Sequence, residues 1–321
     1  MTKKIIFLFS GQGSQYYWMG KELYEHCSTF RRWMVNLDDL VFQKIGISII
    51  NEIYNEEKKL GDVFERTLLT HPAIFMVEYS LVQVLLEAKV KPDYVCGVSL
   101  GEFTAAVVSR VMGVEDGIDW ILKQAETFES YCQKGSMLAI LHSPNLYFEM
   151  PSLFRGTEIA SINYDTHFVI SGATGQIEKI SAVLKEQGVI SQRLPVSFGF
   201  HSSYIDPAQE EYIRFLQGKS FNKPALALIS SLTSEQLSEI PEAYFWKVVR
   251  EPIRFQKTIQ ELETLAECIY IDLGPSGTMA NFIKKNLSQD SNSQCYPVIT
   301  PFNQELKNIK VIKDLMLGRT F

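Results

Sequence analysis

Residues 92–108 read PDYVCGVSLGEFTAAVV, and the fold turns on how they are interpreted. Tyr94 to Gly97 is a short apolar run, Gly97-Val98-Ser99-Leu100-Gly101 fits G-x-S-x-G, and Phe103 to Val108 is a small-residue apolar stretch suited to a buried helix. Glycines two residues before and two after a serine permit a sharp strand-to-helix turn that a Cβ would obstruct, and such a turn thrusts the hydroxyl outward. The pattern predicts a strand, a nucleophile elbow and a helix. Ser99 then sits at the positive end of a helix dipole, and the backbone N–H of Leu100 is placed to stabilise an oxyanion.

The reading extends in both directions from the elbow. Lys4 to Ser10 (KIIFLFS) is an apolar run closed by Gly11-Gln12-Gly13, as expected of a strand buried on both faces of a mostly parallel sheet. Ile74, Val77, Leu81, Val84 and Leu85 recur at helical spacing over Ala73 to Lys89, with Pro72 suited to the first helical position. Further on, Met137 to Leu141 reads as a strand, Ala160 to Ile162 and Phe168 to Ser171 flank a turn, and Ile177 to Gln187 is helical. A helix around Pro207 to Leu216 and strands at Leu226 to Ser231 and Ile269 to Leu273 complete the pattern. Together these predict an α/β fold in which residues 1–129 and 198–321 form the large unit and residues 130–197 an inserted α+β lobe.

Composition excludes several classes. At 46% apolar and 21% charged, the chain can bury a sizeable core and is neither disordered nor fibrous. A net charge of -6 with no basic run argues against a nucleic-acid partner. No 18 uninterrupted apolar residues occur, so no membrane span is expected. Met1 to Ser10 runs into a glycine turn without a small-residue cleavage site, which reads as a strand and not a signal peptide. Five cysteines, never in C-x-x-C spacing, suggest neither a disulfide framework nor a zinc site and fit a reducing cytoplasm.

A serine hydroxyl needs a base within about 3 Å to act as a nucleophile, and histidine is the side chain whose pKa suits that task. His26, His71, His142 and His167 lie in segments with no sequence link to the elbow, whereas His201 sits in Ser197-Phe198-Gly199-Phe200-His201-Ser202, just after an expected strand.

Three separated motifs then coincide: Phe9-Ser10-Gly11-Gln12-Gly13-Ser14-Gln15, Gly97 to Glu102 (GVSLGE) and Phe200-His201-Ser202. Together they resemble the malonyl-CoA:acyl-carrier-protein transacylase family and the related acyltransferase domains of polyketide synthases. Asn163 in Ser161-Ile162-Asn163-Tyr164, Ile170-Ser171-Gly172, Pro252-Ile253-Arg254-Phe255 and Asp272-Leu273-Gly274-Pro275 extend the match along nearly the whole chain. The resemblance implies an α/β-hydrolase-like large subdomain with an inserted ferredoxin-like small one and the active site between them. It implies Ser99 as acyl-carrying nucleophile, His201 as its base, the N–H groups of Gln12 and Leu100 as oxyanion hole, and the main-chain carbonyl of Arg254 as the group orienting the histidine. Gln124, Asn163 and Phe200 are then expected to face the substrate.

One departure bears on that substrate. Malonyl-transferring members hold the malonate carboxylate with an arginine on the helix after the elbow helix, and here Gln124 stands at that position. A neutral amide cannot replace a bidentate guanidinium, and leaving a buried carboxylate unpaired costs on the order of 3–5 kcal/mol. Adjacent Lys123 points about 100° away on a helix and is not expected to substitute. With GVSLGE and Phe198-Gly199-Phe200-His201, the chain resembles the acyltransferase-like acyl hydrolases of trans-acyltransferase polyketide synthases. That resemblance implies hydrolysis of short uncharged acyl groups from acyl carrier protein, without a cofactor or metal. Transfer of the acyl group to a second thiol, and a non-catalytic carrier-binding protein, are the rival readings.

Overall fold

The computed structural model describes residues 3–317. Residues 1–2 and 318–321, the outermost ends of the large unit drawn from the sequence, lie outside the described residues. In chain order the strands are β1 (Lys4–Phe9), β2 (Tyr94–Gly97), β3 (Gly135–Ile140), β4 (Thr157–Tyr164) and β5 (His167–Ala173). They continue with β6 (Ser191–Arg193), β7 (Ala227–Ser230), β8 (Gln236–Leu237), β9 (Cys268–Asp272) and β10 (Gln294–Pro297).

The larger sheet has the order β10-β9-β1-β2-β7-β8, parallel throughout except for the short antiparallel β8. β1 lies at its centre, and Ile6 to Phe9 have no exposed surface. Successive side chains on a strand point to opposite faces. Phe7 and Phe9 therefore enter one apolar cluster, and Ile6 and Leu8 another on the far side of the sheet.

The smaller sheet has the order β4-β5-β3-β6 and is antiparallel. Its chain order is β3, helix Asn145–Glu149, β4, β5, helix Thr174–Glu186, β6, the β-α-β-β-α-β arrangement of a ferredoxin-like unit. Leu138, Ile140, Phe168 and Ile170 pack on Ile177, Ile180 and Leu184 of the second helix. The alternate residues Met137, Ala139 and Val169 face the other way, into the cleft toward the large sheet. The two sheets are stitched together where Ile253 donates its N–H to the Ala160 carbonyl at 2.8 Å and bridges β4 at Ser161.

One expected boundary is corrected. Pro72 is not the first helical residue, because the helix begins at Thr67 and Pro72 lies inside it. The extra turn is held by Glu129, whose carboxylate accepts the Leu68 N–H at 3.0 Å and complements the helix N-terminus. This Thr67–Glu87 helix is long and apolar enough to cross a membrane by length and composition, yet 78% of its apolar stretch is buried within the fold, as in a core helix.

Candidate active site

The elbow forms at the C-terminal end of β2. Ser99 adopts φ 54°, the left-handed region that costs a non-glycine residue about 1 kcal/mol or more and that strand-to-helix elbows impose on their serine. Neighbouring glycines make the turn possible. A Cβ on Gly97 would lie 2.3 Å from the Glu102 nitrogen, and one on Gly101 would lie 2.2 Å from the Phe9 carbonyl oxygen. Gly11 lets the loop after β1 close on the same point, since its Cβ would sit 2.9 Å from that of Ser99.

His201 meets the serine from the opposite side. Its Nε2 lies 2.9 Å from Ser99 Oγ, although the residues are 102 apart in sequence. The ring is oriented by the main-chain carbonyl of Glu251, 2.8 Å from Nδ1, which fixes the proton on Nδ1 and turns the Nε2 lone pair to the hydroxyl. This corrects the expectation that the Arg254 carbonyl does so. The Tyr244–Arg250 helix ends at Glu251, whose carbonyl has no intrahelical partner and is free for the imidazole. The Arg254 carbonyl is already occupied at the start of the Phe255–Leu265 helix, accepting from Thr258 N and Thr258 Oγ1, both at 2.9 Å. Burial pushes the His201 pKa down to about 4, outweighing the Glu251 hydrogen bond that raises it, with the Arg250 charge lowering it further. The ring is therefore neutral, and able to accept a proton, at pH 7.

Among the described residues the backbone N–H groups of Gln12 and Leu100 donate to no acceptor within the protein. Two such donors beside the nucleophile have the form of an oxyanion hole. The Gln12 side chain is directed elsewhere, its Nε2 donating to Thr70 Oγ1 at 2.7 Å.

Three fully buried acids hold the strand ends that carry these groups. Glu78 accepts from Ser10 N at 2.6 Å, Ser10 Oγ at 3.0 Å and Thr104 Oγ1 at 2.8 Å. Glu102 accepts from Ser231 N at 2.7 Å and Tyr244 Oη at 2.8 Å. Asp272 accepts from Gly274 N at 2.9 Å and Ala280 N at 2.8 Å. Burial raises all three, Glu102 and Asp272 to about 7.

A cavity of about 370 Å³ opens beside Ser99 and His201, between the two sheets. Among the described residues, no Lys, Arg, Asp or Glu lines it. Phe200 and Asn163 line it as expected, but Gln124 does not. Gln124 has no exposed surface, and its Nε2 and Oε1 have no partner among the described residues. Phe200 on the cavity wall packs on Phe128, one helical turn beyond Gln124, with ring centroids 5.4 Å apart. His167, set aside on sequence grounds, lines the cavity too. Its signal was structural: the tight turn from Tyr164 to His167 returns β5 alongside β4, and Asn163 Nδ2 meets His167 Nδ1 at 2.9 Å.

Residues 6–319 match the acyl transferase domain family. The chain belongs to that family. This acyl transferase domain is 50% identical over 313 residues to the polyketide biosynthesis acyltransferase homolog PksD of Bacillus subtilis, covering 98% of this chain and 97% of that protein. It is 46% identical over 318 residues to the acyltransferase homolog BaeD of Bacillus velezensis, covering 99% of this chain and 98% of that one. Among solved structures it resembles the acyltransferase domain from the second module of the salinomycin polyketide synthase. The TM-score is 0.84 at 27% identity, over 97% of this chain and 72% of that one. The malonyl CoA-acyl carrier protein transacylase from Clostridium perfringens superposes with a TM-score of 0.79 at 27% identity, over 98% of this chain and 99% of that one. The large α/β-hydrolase-like subdomain with its ferredoxin-like insert is the fold of this family.

Proposed function

We propose that this acyl transferase domain hydrolyses short uncharged acyl groups, such as acetyl, from acyl-carrier-protein thioesters in polyketide biosynthesis. The supporting observation is the uncharged cavity beside Ser99, which offers no cation to a malonyl carboxylate. The likeness to PksD and BaeD, both termed polyketide biosynthesis acyltransferase homologs, supports the setting and the carrier-protein partner. No cofactor enters the reaction.

His201 Nε2 takes the Ser99 proton as Oγ attacks the thioester carbon, and the oxyanion is held by the N–H groups of Gln12 and Leu100. The C–S bond breaks, the imidazolium returns its proton to the departing thiolate, and an acyl-Ser99 ester remains. Water then gives a proton to His201 and adds to the ester carbonyl. The Oγ–C bond breaks, Oγ regains the proton, and the free acid leaves. An unpaired carboxylate costs on the order of 3–5 kcal/mol, so acetyl is favoured over malonyl by a hundredfold or more at ~1.4 kcal/mol per decade.

The test is acid release from carrier protein loaded with acetyl or malonyl groups, with Ser99→Ala as the control that forms no acyl-enzyme. Faster malonyl release overturns the reading. Membership of a transferase family supports a second reading in which another carrier thiol accepts the acyl group. Counting free acid against transferred acyl with a second carrier protein present separates the two.

A further inference from the structure

His167 is a second imidazole in the cavity, with no part in the Ser99 and His201 couple. It is buried, and its ring forms a triangular cluster with those of Tyr164 and Phe282, with centroids 5.2 and 5.0 Å away. Asn163 fixes its protonation. The Ser161 hydroxyl donates to Asn163 Oδ1, so the amide turns its Nδ2–H to His167 Nδ1 at 2.9 Å. An imidazole that accepts at Nδ1 carries its proton on Nε2. That Nε2–H donates to no other residue among the described ones. The backbone of Asn163 is itself anchored, its main-chain carbonyl accepting from Asn286 Nδ2 at 2.8 Å. The result is a rigid, uncharged donor on the wall of an uncharged cavity. Burial lowers the pKa of His167, outweighing a hydrogen bond to its own main-chain carbonyl that raises it, so the ring is neutral at pH 7.

We propose that His167 Nε2–H binds a neutral carbonyl oxygen of the thioester substrate, carried either on the acyl chain or on an amide of the pantetheine arm. A donor preset in this way favours an uncharged acceptor, since its single hydrogen bond cannot compensate a buried carboxylate. The proposal rests on the acyl-Ser99 reading and deepens it, making His167 a specificity-determining residue of the same site.

The experiment measures kcat/KM for four thioesters, butanoyl and 3-oxobutanoyl, each on pantetheine and on ethanethiol. The enzymes are the unmodified protein, His167→Phe and His167→Gln, with mass spectrometry of acyl-Ser99 alongside. For an oxygen on the acyl chain, His167→Phe lowers the ratio of 3-oxobutanoyl to butanoyl about tenfold, one net hydrogen bond, and His167→Gln, which keeps a donor, recovers part of it. For the arm, the ratio of pantetheine to ethyl esters falls instead. Acylation of Ser99 with both ratios unmoved overturns the proposal and leaves the serine reading intact, whereas no acylation of the unmodified protein by any ester overturns both. The imidazole 15N spectrum of the unmodified protein is an independent arm, and a proton on Nδ1 of His167 also overturns the proposal.

Discussion

Replacing Gln124 by leucine is expected to stabilise the protein. The side chain has no exposed surface and both of its polar atoms lack a partner among the described residues. The Tyr212 hydroxyl beside it donates its proton to the Trp120 carbonyl at 3.4 Å, and the amide only weakly opposes the rise that burial gives the phenol, so at most a poor contact joins the two side chains. A buried amide left unpaired costs about 1–3 kcal/mol, and a leucine of similar volume removes that cost while losing about 1 kcal/mol to imperfect fit. The net gain is about 0–2 kcal/mol, centred near 1 kcal/mol. Unfolding entropy near 2.1 cal/mol/K per residue over 321 residues converts this to roughly 1.5 °C per kcal/mol, a rise in Tm of up to about 3 °C. Differential scanning calorimetry reads the shift, and acetyl release from carrier protein reads the site. Because Gln124 does not line the cavity, turnover should stay within about twofold. A lower Tm, or a tenfold loss of turnover, would refute the reasoning by showing that the amide has a partner that leucine cannot supply.

Gly101→Ala should prevent folding, because its Cβ would press on the Phe9 backbone 2.2 Å away, whereas Gly175→Ala, with open space around a helical position, should be neutral or stabilise by about 0.5–1 kcal/mol; soluble yield and urea midpoints distinguish them. The acid limb of kcat/KM should fall near pH 4, because the His201 ring stays neutral down to its depressed pKa of about 4, and an inflection at 6.5 would show that it is not buried as found. His71 is likewise held neutral by burial, with a pKa of about 4, so its unfolded form protonates first as pH falls below 6.5 and native stability declines. His71→Phe should therefore remove on the order of 2–3 kcal/mol of the stability lost between pH 7.5 and 4.5, as measured by urea unfolding at both values.

The sequence carried the elbow, β1 and the helices with apolar periodicity, because those features are local: glycines at fixed spacing and side chains repeating at 2 or 3.6 residues. It also carried Ser99 and His201, through motifs on either side of the insert. The group that orients the histidine was not legible, since any residue type supplies a carbonyl, and only the end of the Tyr244–Arg250 helix determines that Glu251 has one to spare. Gln124 was correctly placed on the Val114–Tyr131 helix, but whether its side chain reaches the cavity depends on Phe200, 76 residues later, packing on Phe128. His167 was missed for a related reason: its role comes from a hairpin that sets it against Asn163, and nothing in Asp165-Thr166-His167-Phe168 marks a functional imidazole.

The site shares one physical property that links its titrating groups to its substrate. Burial raises Glu78, Glu102 and Asp272, and lowers His71, His167 and His201, so each shift favours the form that carries no charge. Opposite shifts in acids and bases cannot come from a local excess of one sign of charge, because a cation would lower both kinds of group and an anion would raise both. Desolvation is the largest cause of every one of these shifts, and it moves acids and bases apart. The same desolvation acts on whatever enters: an acetyl group loses little hydration on entry, whereas a malonyl carboxylate loses much and meets no cation along the cavity wall. On the proposed function, neutrality of His201 at pH 7 and a preference against malonyl are thus expected from one cause. Introducing a lysine at Met137, which lines the cavity, should relieve only the second, raising malonyl turnover relative to acetyl by tenfold or more while leaving His201 neutral at pH 7. If that lysine is ionised and the selectivity does not move, desolvation is not what sets the substrate.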